Sequence, residues 1–450
     1  MESPGRCARS EAVRSDVLVF IENTPRAYAW GSKDALPDLL GTEPTGQPQA
    51  ELWLGTHPGN PAHVAKAGPR ERTLIDLVES DPERYGVDGG PLPFLLKVLA
   101  IGAPLSLQVH PDREQAAAGY AAEEAAGVPR DAPHRNYGDP RHKPELLVAL
   151  SEVLALSGFR SLSEARRDLA ALAAAARGSD AAGAAALDAV SVRLAGAEPG
   201  ELRRAFLDWV LHGDAPVVPA LGAIARVCAG AHPDAAADGA EPWPLPDGLD
   251  PERAAVLRAL AAEHPGDPGV LVSLLLHLVR LQPGEAIFLG ARQLHAYLSG
   301  IAVEVMASSD NVLRAGLTQK HVDIAELCRV VDTAELDEPR FPCRPVARGL
   351  VEWCPDVTDF RLLRARLCDP EEGAGSRVDG GAPAVEVAAR HPLVLVITAG
   401  RVRVERADDA GLAEVATARR GQSLYVSAGE PVRLTGHGEV FIATVGESAG

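Results

Sequence analysis

Lysine is nearly absent from this 450-residue chain. Of its 44 basic residues only Lys33, Lys66, Lys97, Lys143 and Lys320 are lysines, and the rest are arginine. Against such a background, a surviving lysine marks a place where a compact ammonium suits better than a guanidinium fork. No run rich in Lys or Arg occurs, and the formal net charge is −18. A basic face for nucleic acid or anionic membrane is therefore not expected. Long apolar runs are missing too. Val270–Val279 is broken by Ser273 and His277, well short of the roughly 20 residues that span a bilayer. The N-terminus has no apolar segment of signal-peptide type. The six cysteines (Cys7, Cys228, Cys328, Cys343, Cys354, Cys368) form no C-x-x-C pair, so neither a zinc ribbon nor a thioredoxin-type centre is expected. Free thiols without a leader point to the cytoplasm as the expected location.

What is present is ordinary globular material: 46% hydrophobic and 24% charged residues, enough for about three domains. Residues 17–160 read as short strands and turns, with Leu18-Val19-Phe20, Glu51–Leu54, Phe94–Ala100, Pro104–His110, Leu146–Leu150 and Val153–Ser157 as candidate strands. From Leu162 the texture becomes Ala-, Leu- and Arg-rich. Ser163–Arg177, with Ser163 as cap, Ala181–Leu194, Glu201–Leu211, Leu221–Cys228, Pro251–Glu263 and Val270–Leu281 predict helices. Strands return at Gly284–Leu289 and Gly300–Met306, and a short helix is predicted over Ile324–Val331. After a Pro-rich link, alternation resumes, with a hairpin expected to turn at Ala399-Gly400. The fold class is therefore mainly β with an α insertion. The expected organisation is an extension (1–16), a strand-rich barrel or jelly-roll unit (17–161 plus 281–335), an all-helical insertion (162–280) and a second β-unit (336–450).

Four segments carry candidate chemistry. In Leu105–Asp112, a strand would place Ser106, Gln108 and His110 on one face and Leu105, Leu107 and Val109 on the other. In His142-Lys143-Pro144-Glu145, Pro144 keeps Lys143 extended and Glu145 opens an apolar strand. His295 follows a strand and a glycine turn. One amide, two imidazoles and one carboxylate make an N/O donor set suited to Zn²⁺, with Mn²⁺ and Co²⁺ also open. Spacing alone does not bring residues 108, 145 and 295 together. The fourth segment runs from Glu304 on a strand, through a Ser308–Asn311 turn, to a loop carrying Arg314 and Lys320, two cations suited to an anion. His57, His63, His212, His277 and His437 read as core or surface residues.

The segments PLPFLLKVLAIGAPLSLQVHPD, HKPELLVAL and GARQLHAYLSGIAVEVMASSDNVLRAGLTQKHVD resemble the signature stretches of type I mannose-6-phosphate isomerases, and ENTPRAYAWGS and ELWLGTHPGNPA resemble their N-terminal stretches. The resemblance covers about 17–160 and 280–325 strongly. It implies a cupin core with a helical insertion and a second β-domain. It also implies one zinc per chain, with Gln108, His110, Glu145 and His295 as ligands and Arg314 as the active-site arginine. Lys97, Ser106, Lys143, Glu304 and Lys320 match pocket positions, and Trp30-Gly31 matches the family's Trp-Gly. Ala29 stands where an acidic residue often precedes that Trp.

The implied reaction interconverts mannose 6-phosphate and fructose 6-phosphate through a cis-enediol, which requires a base, an electrophile and a phosphate anchor. Arg314, Glu304 and Lys143 are the catalytic candidates, the base being open between Glu304, Lys143 and a water on the metal. Lys97, Ser106, Lys320 and Trp30 are the substrate-binding candidates. The partner is a small sugar phosphate, not nucleic acid or membrane, and the chain is expected to be a monomer. Two rivals are a non-haem iron cupin oxygenase and a non-catalytic sugar-binding cupin.

Overall fold

A computed structural model describes residues 17–65, 72–229, 246–367, 384–407 and 413–447. The extension 1–16 with Cys7, as well as Lys66 and Cys368, lies outside the described residues. Among the described residues the strands form two antiparallel sheets, one of nine strands and one of ten. No helix among them is long and apolar enough to cross a membrane. The architecture is mainly β with a helical insertion, as expected, and suits a cupin-type core.

The nine-stranded sheet is organised on one long strand, His295–Ala307. Its Gly300–Ala307 half pairs with Phe94–Ile101, which in turn pairs with Glu51–Leu54. On its other edge it pairs first with Val153–Phe159 and then with Glu145–Ala149. The switch falls around Gly300, at φ 110°, where a Cβ would lie 2.4 Å from the Glu152 carbonyl oxygen. Only glycine fits that bend.

Alternation then sorts the side chains. Leu52, Leu54, Leu96, Val98, Leu146, Val148, Val303 and Val305 face a core that they share with Trp353, Val394, Tyr425 and Phe441 of the ten-stranded sheet. Each such fully buried side chain contributes roughly 1.5–3 kcal/mol, so the register is strongly specified. The residues between them, Glu51, Trp53, Lys97, Glu145 and Glu304, point to the opposite, inner face. A slip of one residue would exchange the two sets.

The helices Leu162–Ala176, Ala181–Val192, Pro199–His212, Val217–Ala229 and Pro251–Glu263 form the insertion. Their apolar faces (Leu169, Leu187, Phe206, Ile224, Leu257) share a core with Leu107, Val109, Leu156 and Leu313 of the sheet. Leu107 and Val109 of the Leu105–His110 segment thus anchor under the helices, whereas Leu105 packs in a separate cluster with Tyr297.

Several sequence-based expectations are corrected. The first insertion helix is capped by Ser161, whose Oγ accepts from the Glu164 amide, not by Ser163. Leu276–Leu281 is a strand on the free edge of Val153–Phe159, preceded by a short helix Gly269–Ser273. A short apolar run reads equally well as helix or strand, and the open edge decides it. Within Pro104–His110 only Gln108–Val109 forms a regular ladder. The strand Leu18–Glu22 pairs with Ser423–Val426 and joins the ten-stranded sheet, not that of its sequence neighbours, because Val19 and Ile21 find their core there. Ala399-Gly400 is no hairpin. Leu393–Ala407 runs through as one strand against Gly429–Thr444, with a register shift between Ile397 and Ala399 and Gly400 at φ 71°. The extra residue is Thr398, a bulge beside the glycine.

Candidate metal centre and active site

Three elements bring the metal candidates together. Gln108 sits opposite both His295 and Arg314 in the register of the short strands Gln108–Val109 and Leu313–Arg314. Arg314 is therefore on a strand, not on the loop expected from its turn-rich surroundings. Glu145 opens the strand that pairs with Met306 on the far half of the long strand. His110, Glu145 and His295 each present a donor atom within 4.8 Å of the others, and all three residues are buried.

The histidines are pre-oriented. His110 Nδ1 lies 2.7 Å from the Asn311 carbonyl and His295 Nδ1 lies 2.9 Å from the Gln293 carbonyl. A carbonyl only accepts, so each Nδ1 carries the proton and each Nε2 is left with its lone pair. His110 Nε2 is buried with no hydrogen-bond partner. Such an orphan is costly unless something binds it. His110 Nε2 and His295 Nε2 stand 3.4 and 3.5 Å from the two oxygens of Glu145. Donors bound at about 2.0–2.2 Å in a tetrahedron lie roughly 3.3–3.6 Å apart, so the donor set fits Zn²⁺. Burial raises the Glu145 carboxyl, but Lys143 and His110 outweigh it and hold it well below the usual range. Burial, and then Lys143, lower His110 to about 4. Neutral imidazoles and an ionised carboxylate are the forms a metal needs.

A second buried group adjoins the first. Lys97 lies directly across from Glu304, and Trp53 across from Lys97 on its other side. Lys97 Nζ is 3.3 Å from Glu304, 3.7 Å from Glu51 and 5.0 Å from the Trp53 ring centroid. Trp53 Nε1 donates to Glu51, and the Tyr297 hydroxyl donates to Glu304 at 2.9 Å. Burial opposes the Lys97 charge, but Glu51, Glu304 and Glu145 prevail and raise its pKa. Burial and the Glu145 charge raise Glu304 to about 6, against the pull of Lys97 and Lys143. Lys143 Nζ reaches Glu145 at 2.8 Å, and its charge also acts on Glu304.

The other candidates lie around this core. Burial lowers the pKa of Arg314, and partial burial together with Arg314 lowers that of Lys320 at the rim. Ser106 falls between two anchored amides, Leu105 N–H on the Tyr297 carbonyl and Leu107 N–H on that of Gly316. Trp30 is stacked on Tyr28 and packs on the apolar cluster containing Leu105 and Tyr297. Sequence reasoning missed Glu51, Trp53, Tyr297 and Asn311. The alternation in Glu51-Leu52-Trp53-Leu54 could have flagged the first two. Nothing in the local sequence flags a backbone carbonyl that orients a histidine. His57, read as core or surface, is buried edge-on to Trp53 at 5.0 Å.

Residues 18–162 match the model of the phosphomannose isomerase type I catalytic domain. The mannose-6-phosphate isomerase of Escherichia coli is 35% identical over 435 residues, spanning 93% of this chain and 97% of that protein. The chain belongs to the type I phosphomannose isomerase family. The Salmonella typhimurium mannose-6-phosphate isomerase is 34% identical over 427 residues, with 93% of this chain and 97% of that one covered. Among solved structures, a zinc-bound mannose 6-phosphate isomerase superposes with a TM-score of 0.77 at 30% identity, covering 96% of this chain and all of that one. Since the match to this isomerase family runs from the first sheet to the last, the oxygenase and non-catalytic alternatives have no support in it.

Proposed function

We propose that this protein is a zinc-dependent mannose-6-phosphate isomerase, interconverting mannose 6-phosphate and fructose 6-phosphate. The observation that carries the reading is the buried His110–Glu145–His295 group with its unpartnered His110 Nε2, set beside a carboxylate whose pKa is close to neutral. Gln108, opposite His295, is the fourth ligand. Bound zinc would polarise the sugar oxygens at C1 and C2.

The remaining chemistry belongs to the chain. Glu304, at about 6, is ionised at pH 7 and suited to shuttle a proton. It takes the proton from C2 of the aldose. The C2–H electrons form the C1=C2 bond and leave negative charge on O1. The O2 proton passes to O1, and as the O2 electrons form the C2=O bond Glu304 returns its proton to C1, which leaves the ketose. Arg314 stabilises the negative charge that builds on the enediolate oxygens. Lys143 keeps Glu145 ionised, Lys97 does the same for Glu304, and Lys320 anchors the phosphate at the rim. Ser106 and Trp30 contact the substrate. The helical insertion (162–275) and the C-terminal β-unit (336–450), whose sheet takes in the strand Leu18–Glu22, serve a catalytic unit made of the rest of 17–161 and 276–335. The enzyme acts as a cytoplasmic monomer.

Stripping the protein with a chelator should abolish turnover of mannose 6-phosphate in a coupled assay, and added zinc should restore it. Full activity in metal-free protein would overturn the reading.

A further inference from the structure

We propose that Asn311 is a positioning residue that fixes His110 and Glu145 relative to one another, an inference that rests on reading those two residues as zinc ligands. Asn311 is completely buried. Its backbone carbonyl accepts from His110 Nδ1 at 2.7 Å. Its side chain grips the chain that leads into Glu145. Oδ1 accepts from the amides of Gly138 and Asp139 at 2.8 and 3.3 Å. Nδ2 donates to the carbonyls of Asp139 and Arg141, both at 2.7 Å. Every donor and acceptor of the amide is used, and no other side chain of similar size offers two acceptor sites and two donors in one plane.

Neighbouring bonds extend the clamp in both directions. Ser309 Oγ donates to the Asp139 carboxylate or the Arg141 carbonyl, at 3.1 and 3.2 Å, and accepts from the Asn311 amide at 3.2 Å. The Ala307 amide donates to the Pro144 carbonyl at 3.1 Å, one residue before Glu145. Residues 138–144 have no ladder of their own, so these bonds replace one. The outer partners of metal ligands commonly set affinity by holding the ligands in place. Here one residue holds two ligands 35 positions apart, one through its backbone and one through its side chain.

The test measures zinc affinity of the stripped protein by competition with a chromophoric chelator, without substrate, together with the thermal midpoint of the metal-free form. Asn311→Ala should weaken zinc binding by about 10–100-fold. Asn311→Asp, nearly the same shape, should do likewise, because its second oxygen would face the two carbonyls. Tyr425→Phe, in the ten-stranded sheet, removes a buried hydroxyl that donates to the Tyr85 carbonyl at the end of the helix Pro82–Tyr85. It should lower the midpoint while leaving zinc affinity and turnover unchanged. Folded Asn311 variants with zinc affinity within about twofold of the parent would overturn the proposal, leaving Asn311 as loop packing only. Should neither variant fold, Ser309→Ala, which loses one hydroxyl of the same clamp, should bind zinc several-fold more weakly, and unchanged affinity would refute the clamp. A parent protein that binds no zinc would instead sink the functional reading itself.

Discussion

Replacing Lys97 with Met keeps the length of the side chain and removes its charge, which isolates the electrostatics of the inner face. Lys97 Nζ stands 3.3 Å from one carboxylate and 3.7 Å from another. At an effective dielectric constant of about 20, each contact is worth roughly 4–5 kcal/mol before the cost of burying the charges. Removing one partner from such a buried group typically costs about 3–5 kcal/mol, because the remaining charges are stranded. Lys97→Met should therefore lose about that much stability at pH 8, measured by urea unfolding of chelator-treated protein. The deficit should shrink at pH 5. Glu304 already has a folded-state pKa raised to about 6, and the loss of Lys97 raises it further. A carboxyl whose folded pKa is raised stabilises the fold below its unfolded value, and that contribution is lost as pH rises through the folded pKa. Acidification thus protonates Glu304 in the variant and relieves its repulsion with Glu51 and Glu145. Adding Glu304→Gln should recover a large part of the deficit at pH 8. A loss below about 1 kcal/mol, or an equal loss at pH 5 and pH 8, would show that Lys97 does not neutralise this group.

The remaining expectations concern single residues. Arg314→Ala should lower kcat by about 10²–10³-fold with zinc still bound, as loss of one oxyanion donor does. A rise in KM alone would assign Arg314 to uniform substrate binding. Lys320→Ala should penalise mannose 6-phosphate more than mannose, and an equal loss on both would remove it from the phosphate site. In metal-free protein the His110 ring should titrate near pH 4, followed by NMR. Because that value is depressed, His110 makes the fold lose stability as pH falls from about 6.5 toward 4, where the unfolded chain takes up a proton and the folded chain does not. A midpoint above 6 would contradict the burial of Nε2.

The chemistry of this protein was legible in residue types and short spacings, and its family in the motifs around Gln108, Glu145 and His295. The helices Pro251–Glu263 and Ile324–Val330 lie within a residue of where capping and periodicity put them, because their ends are encoded within a turn. The misreadings arose where the deciding partner is distant. The run after Val270 became a strand because Val153–Phe159 had an open edge, and Ala399-Gly400 stayed inside a strand because Gly429–Thr444 continues past it.

The same division holds at the site. Local sequence determined which side chains could ligate, ionise or pack, since residue chemistry and two-residue alternation are properties of the chain itself. The tertiary structure alone decided that Lys97 faces Glu304, that Trp53 and Glu51 complete the inner face, and that the Asn311 carbonyl turns His110 toward Glu145. Those relations depend on strand register across hundreds of residues, and register is set by burying the opposite, apolar face against the second sheet.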